Sequence, residues 1–536
     1  MAKKKNKNKI AVFLIKEGYK EDSKILANIS SLNSEEIKHE GEKVGTLYFL
    51  ESKKSEPNWL KKFFGIDSLG GISFCNSNTR AVFLTEIEDR VFALVFGYGK
   101  NLLSKDVYED DFGLFTTLNL IVSNTLRSVD KVDLALSGKK TREQLIKSGE
   151  IKDFGIDKEQ DLVNVVTGKC CMEDLGGIIT GRDSFHVSVE SDFKEIRGFL
   201  KQYLDYYKRD DYKKDFGWID NIRKVEDKTI IERLDEKLVE EIKKDEPEKI
   251  WLAVPDIIDW SGIEGFTYNN KGEDTFDDLY LTDFKKYLGK KLADLTVKKL
   301  KHTYDIHYIY DFAKSEYGNW NVYDCLYCEI KLGDDYYILN NKKWYKIDKD
   351  FVADINSRFD SVPKIDLGFP EYKESVFAGK GDNKGEGGYN KKVSEENSDL
   401  VLFDKKMIQV GGGHSQVEFC DLFSKRNKRI IHVKIYGGSN VLSHLFNQGL
   451  VSGELFLGDE KFREDVNNVL PVDCKLASTS DKPSAGQYEI VFAIISSSNN
   501  ELSLPFFSKI SLSNVHKRLG TLGYQVSLSK IKKTDD

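Results

Sequence analysis

Between Asp399 and Phe456 the chain reads DLVLFDKK, then QVEFCDLF, RIIHVKIY and SNVLSHLFNQGLVSGELF. Branched and aromatic residues between polar breaks mark the first three blocks as short strands, and the fourth has the apolar spacing of an amphipathic helix. Glu418 and Asp421 fall on the second strand, His432 and Lys434 on the third. Residues two apart in a strand share a face, so His432 and Lys434 point the same way and a neighbouring strand can bring Asp421 beside them. Such a meeting of groups suits metal-assisted hydrolysis. Carboxylates hold hard ions such as Mg²⁺ or Mn²⁺, and an imidazole nitrogen from His432 favours Mn²⁺ of the two. The ion lowers the pKa of a bound water, while Lys434 orients that water and offsets charge in the pentavalent state. The expected ligands are Glu418, Asp421 and His432. Asp404, on the preceding strand, is either a further ligand or a turn aspartate.

Several classes of function are excluded or disfavoured by composition. The 536 residues carry a formal charge of −7, which argues against a wholly basic nucleic-acid sleeve but leaves room for local patches. No apolar run reaches the roughly 18 residues of a membrane helix. The basic start MAKKKNKNK lacks a cleavage site, and the apolar piece after it is too short for a signal core. Seven cysteines, with one CxxC at Cys325 and Cys328, suggest a reducing, cytoplasmic setting and no disulfide framework. No GxSxG elbow presents a serine, and Ser443 and His444 diverge by about 100° around a helix, so they are not a nucleophile and its base. Ser439 or Asn440 is expected to cap that helix, with Leu442, Leu445 and Phe446 facing inward.

The fold class read from these patterns is α+β and multidomain. Residues 1–120 alternate like an N-terminal α+β domain, with a short helical piece near 57–66. Residues 121–247 read as largely helical. Within them, His186 lies in the alternating strand FHVSVE and is expected to be a satisfied histidine on a sheet face. Residues 248–377 form an aromatic-rich α+β region with an antiparallel meander. Its Glu329-x-Lys331 pair lacks an acidic strand before it and makes a poor second metal site. AGKGDNKGEGGYNKK, residues 378–392, reads as a flexible linker or lid. Residues 393–536 make up the C-terminal module.

That module runs strand, strand, strand, helix, strand, helix, strand, with VEFCDLF and then HVK on its second and third strands. In this it resembles the restriction-endonuclease-like, or PD-(D/E)XK, nuclease superfamily. The resemblance implies that Asp421 is the metal-binding aspartate and that His432-Val433-Lys434 stands at the acid-x-lysine, with histidine in place of the usual acid. Gln448, in the following helix, is placed like a glutamine that orients the site in some branches. The whole chain also resembles a sporadically distributed, uncharacterised bacterial family, through FGYGKNLL, EDDFGLFTTLNLI, VNVVTGK, YILNNKKWYKID and GSNVLSHLFNQG. Patchy distribution of that kind implies mobile-element and antiviral defence loci.

The function expected is therefore a metal-dependent DNA endonuclease of anti-phage defence. Its expected partners are double-stranded DNA and either other defence-system proteins or further copies of itself. Two alternatives stand beside it: a non-catalytic DNA-binding or scaffold subunit, and an RNA-directed nuclease.

Overall fold

The computed structural model describes residues 8–51, 79–104, 107–134, 139–189, 195–245, 247, 249–255, 263–268, 275–276, 278–310, 315–377, 384–404, 406–410 and 415–534. The basic start at 1–7, the helical piece expected near 57–66 and residues 378–383 of the glycine-rich stretch lie outside these. The chain divides into two compact units, one of residues 1–132 and 140–219, the other of 133–139 and 220–536.

The first unit is built on a ten-stranded sheet. Its strands are β1 (Asn8–Leu14), β2 (Asn33–His39), β3 (Glu42–Glu51), β4 (Thr79–Ile87), β5 (Arg90–Gly97), β6 (Ile121–Asp133), β7 (Lys139–Gly149), β8 (Asp161–Cys170), β9 (Ile178–Gly181) and β10 (Phe185–Val189). They run in the order β2-β3-β4-β5-β1-β10-β9-β8-β6-β7. Alternation along β1 and β10 sends Ile10, Val12, Phe185 and Val187 into one core. Helices α1 (Phe112–Leu120) and α2 (Ile196–Tyr207) supply the rest of that core. Residues 121–189, expected to be largely helical, instead hold five strands, β6 to β10. Helix-forming residues in TREQLIKSG yield to pairing at the sheet edge, because β-propensity depends on neighbours more than on the residue itself. Helices begin only at α2, within the second half of the expected region.

The second unit opens with a five-stranded sheet in the order β11-β18-β17-β16-β12. The strands are β11 (Ile222–Lys224), β12 (Ile250–Leu252), β16 (Leu326–Leu332), β17 (Asp335–Asn340) and β18 (Lys343–Ile347). Asn341 and Lys342 both have positive φ, 48° and 67°, the geometry of a tight hairpin between β17 and β18. A small sheet of β13 (Ile263–Thr267), β14 (Asp305–Tyr310) and β15 (Ser315–Asn321) completes this region with α3 (Lys228–Lys243). Cys325 and Cys328 are both buried among its apolar residues.

The C-terminal sheet runs β19-β26-β25-β24-β23-β20. Its strands are β19 (Tyr372–Lys373), β20 (Leu400–Leu402), β23 (Leu422–Ser424), β24 (Arg429–Ile435), β25 (Glu489–Ser496) and β26 (Gln525–Thr534). β20, β23 and β24 pair antiparallel, whereas β24, β25 and β26 are parallel. A separate ribbon, β21 (Met407–Val410) with β22 (Ser415–Glu418), projects between β20 and β23 in sequence. Both faces of the main sheet are covered, which is why β25 is apolar almost throughout. Ile430, Phe492 and Ile494 pack with α6 (Ser439–Gly458), α7 (Glu460–Val469) and α8 (Phe506–Leu522). Ile431, Val433, Val491 and Ile495 pack on the other side with Tyr389 and Val393 of α5 (Gly385–Glu396). A further helix, α4 (Lys349–Ser361), precedes these elements and contributes Phe359 to the first of the two cores.

Two sequence readings are corrected here. Residues 385–392, read as part of a linker or lid, form the start of α5. Tyr389 and Val393, four apart, bury one face and offset the helix cost of Gly387 and Gly388. Helix α6 is capped by Gly438 rather than by Ser439 or Asn440, which are already helical. Leu442, Leu445 and Phe446 do face inward.

One long-range bond ties the five-stranded sheet to the C-terminal helices. Glu329 of β16, 6% exposed, accepts the backbone N–H of Phe506 at the first turn of α8 at 2.8 Å. Burial pushes its carboxyl up to about 7 from an ordinary 4.5, with Lys249 and that N–H opposing the rise. The folded state thus holds the proton more tightly than the unfolded chain. Stability is greatest below pH 4.5 and falls as pH climbs toward 7. Glu329→Gln keeps an acceptor for Phe506 and removes the charge. It should match the wild type near pH 4 and exceed it at pH 8 by about 3 kcal/mol. Denaturant melts at the two pH values check this, and an equal difference at both would contradict it.

Candidate metal centre

Asp421 sits where β23 begins, and three of its groups are bonded. Its N–H donates to the Ile431 carbonyl at 3.0 Å. Its carbonyl accepts the N–H groups of Phe403 and Asp404 at 2.9 and 3.1 Å. Its Oδ2 accepts the Val433 N–H of β24 at 2.7 Å. Chain entering from β20 is thereby held against chain entering β23, with the ribbon β21–β22 looping out between them. Glu418 stands at the foot of that ribbon, paired with Met407. Asp404, Glu418 and Asp421 are so brought together that a carboxylate oxygen from each lies within 4.8 Å of the others.

A fourth acid, Glu386, arrives from the first turn of α5. Its Oε1 accepts the Ile435 N–H at 2.8 Å and its Oε2 meets Lys434 Nζ at 2.7 Å. Lys434 thus stands at the same end of β24 as Asp421, next in sequence to Val433. Burial first, and then the nearby Glu418, Asp404 and Glu386 charges, push the Asp421 carboxyl up to about 8 against the opposing Val433 N–H. A buried carboxyl raised further by neighbouring carboxylate charge is an electrostatic condition that a bound cation relieves.

The donor set fits a hard divalent ion. Opposite oxygens around octahedral Mg²⁺ stand about 4 Å apart, so three carboxylates already within 4.8 Å need only side-chain adjustment to close on one. Asp404, Glu418 and Asp421 are the ligands the geometry offers, and all are oxygen donors.

His432 does not join them. It is 3% exposed, stacked against Phe492 at 6.1 Å between ring centroids, with Nε2 facing Ser452 Oγ at 3.4 Å. Burial drives its imidazole down to about 4, so it stays neutral at physiological pH. The expectation of a histidine ligand is corrected for a packing reason: His432 lies under α6, where Gly449 leaves room for it. A Cβ at Gly449 would meet Phe492 at 2.5 Å and His432 at 3.4 Å. The nitrogen-based preference for Mn²⁺ goes with it. Gln448 is half-buried on α6 and forms no hydrogen bond to the acids among the described residues. Glu386 is the residue that sequence reasoning missed. Its only signal was the four-residue spacing of Tyr389 and Val393, masked by the surrounding glycines.

This geometry belongs to a mixed α/β chain of several sheets, and no described helix is long and apolar enough to cross a membrane. The chain belongs to a family of unknown function (DUF6119), whose model matches residues 10–532. No curated protein and no solved structure gives a match.

Asp421→Asn keeps an oxygen for the Val433 N–H and spares the folded chain the cost of protonating a carboxyl pushed up to about 8. Without added metal at pH 7 its melting temperature should rise by about 2–4 °C, the effect of about 1 kcal/mol in a unit of this size. Millimolar Mg²⁺ or Mn²⁺ should stabilise the wild type and not this variant. A thermal melt with and without the ions reads both effects, and equal stabilisation of the two proteins would contradict the site.

Proposed function

We propose that this chain is a Mg²⁺- or Mn²⁺-dependent phosphodiesterase that cuts DNA, acting in anti-phage defence. The observation that carries the reading is the convergence of Asp404, Glu418 and Asp421 at the end of β24 that also bears Lys434. The sheet order supports it. Strands β20, β23, β24, β25 and β26 lie side by side in chain order, with helices α6 and α7 between the third and fourth and α8 between the fourth and fifth. The resemblance to restriction-endonuclease-like proteins rests on the order strand, strand, strand, helix, strand, helix, strand along the chain, to which the structure adds α7 and the β21–β22 ribbon. The defence setting, with nucleic acid and defence-system proteins or further copies as partners, rests on the wider family resemblance.

In this reading the three carboxylates bind the ion, which supplies Lewis acidity and a water of lowered pKa. Lys434, held by Glu386, faces the charge that develops on the phosphate. Glu386 holds that ammonium and the Ile435 N–H together, so it fixes Lys434 in register with Asp421. His432 contributes packing, and the usual acid of an acid-x-lysine pair is replaced by acids from the β20–β23 connection and from α5.

A second reading, a non-catalytic DNA-binding or scaffold subunit, is favoured by the same ion pair, because Lys434 is already neutralised by Glu386. Cleavage assays separate the two. Plasmid, single-stranded DNA and RNA are each incubated with the full chain and Mg²⁺ or Mn²⁺. DNA should be cut, and Asp421→Ala and Lys434→Ala should each lower the rate by on the order of 100-fold or more while folding persists. His432→Ala should cost about 2 kcal/mol of stability and spare the chemistry of the folded fraction. Cleavage of RNA alone would move the assignment to an RNA-directed nuclease. Survival of all three substrates would favour the binding role.

A further inference from the structure

A second site lies on the sheet of the first unit, independent of the metal centre. Ala11 pairs with His186 and Lys9 with Ser188 across β1 and β10, while His186 pairs with Thr180 across β10 and β9. Directly paired residues share a face, as do residues two apart. Lys9, Ala11, Thr180, His186 and Ser188 therefore all stand on one face, opposite the core residues Ile10, Val12, Phe185 and Val187. Because Ala11 and Gly97 are small, this face carries a depression of about 360 Å³ lined by these residues. That is the scale of a small-ligand site.

The polar groups are arranged in a definite way. Ser184 Oγ lies 3.0 Å from Asp183 Oδ1 and 3.0 Å from His186 Nε2. Burial would raise the Asp183 carboxyl, but the bond from Lys100 outweighs it and holds the group below its ordinary range. Asp183 is thus an acceptor, so the single Ser184 hydrogen goes to it. His186 Nε2 must then carry the proton that it donates to Ser184. The neutral ring is fixed in one tautomer, and Nδ1 is left with a lone pair and no hydrogen-bond partner among the described residues. The chain of bonds is no catalytic triad, because the serine sits between the acid and the histidine and is fully buried.

The charge around this ring is positive. Burial, then Arg182, push the imidazole below its usual range, and Lys100 adds to that while Asp183 opposes it. Lys100 and Arg182 are both paired with Asp183. Lys9 is exposed and forms no ion pair among the described residues. An unpaired ammonium, an imidazole with an open lone pair at Nδ1, the hydroxyl of Ser188 and that of Thr180, which also meets Thr167 Oγ1 at 2.9 Å, converge from three adjacent strands. A phosphate that keeps one P–O–H satisfies all of them, since its anionic oxygens accept from the ammonium and hydroxyls and its own hydrogen is donated to Nδ1. We infer that this depression binds a small phosphate-bearing molecule of about mononucleotide size.

Isothermal titration of the full chain tests this with adenosine 5′-monophosphate, inorganic phosphate and adenosine. Both anions should bind and the uncharged nucleoside should not. Lys9→Gln and His186→Gln should each weaken binding of the monophosphate by about tenfold, the loss of one charge-assisted hydrogen bond, with melting temperature unchanged. Lys9 is exposed, so its variant keeps the test valid should the His186 variant fold poorly. Absence of binding by both anions at millimolar concentration would overturn the inference. So would equal binding of adenosine and its monophosphate, or an affinity that Lys9→Gln leaves untouched.

Discussion

The hydrogen bond from the Val433 N–H to the Asp421 carboxylate is the constraint on which the C-terminal site depends. Backbone pairing of β23 with β24 stops at Leu422 and Ile431, and the Asp421 side chain takes up the next exposed donor of β24. A buried N–H left without an acceptor would cost about 1–3 kcal/mol, so the carboxylate is held by a structural need as well as a chemical one. The same residue's carbonyl gathers the N–H groups of Phe403 and Asp404. One amino acid thus closes a loop, ends a strand pairing and brings two acids together.

That arrangement holds only because the sheet behind it is rigid. Strand β25 is buried on both faces, and α6 and α8 press against it through Phe492, Ile490 and Leu519. Gly453 allows the close approach, since a Cβ there would stand 3.0 Å from Ile490 and 3.1 Å from Leu519. On the opposite face α5 packs Tyr389 and Val393 and delivers Glu386 to the end of β24. Four acids and Lys434 are thereby carried by one sheet packed on both faces. Asp421 carries the electrostatic consequence, with its carboxyl pushed up to about 8 by burial and then by its acidic neighbours. Groups perturbed by burial together with specific charges are characteristic of functional positions.

How much of this was legible in the sequence depended on whether a residue's role was local. The third strand and the helix after it were legible, because RIIHVKIY and LFNQGL carry their own patterning. The order of Asp421 and Lys434 on successive strands made their meeting at one end of β24 legible. Glu418 was placed on one strand with Asp421, whereas the chain breaks at Phe419 and Cys420, which turn into the core and separate the ribbon from β23. His432 was misread because strand alternation gives the face and not its depth: His432 and Lys434 do share a face, but the first lies under α6 and the second reaches the open end. Glu386 was illegible for the opposite reason, since glycine-rich composition outweighed a weak helical spacing. In the first unit, the helical spacing of TREQLIKSG misleads because β7 is an edge strand whose pairing, and not its own pattern, fixes it.

The central claim is that the three acids are a cation site, and anomalous X-ray scattering from crystals soaked in Mn²⁺ tests it most directly. The account predicts one anomalous peak within bonding distance, about 2.2 Å, of oxygens from Asp404, Glu418 and Asp421. Crystals soaked in Mn²⁺ with no peak between those carboxylates would contradict it.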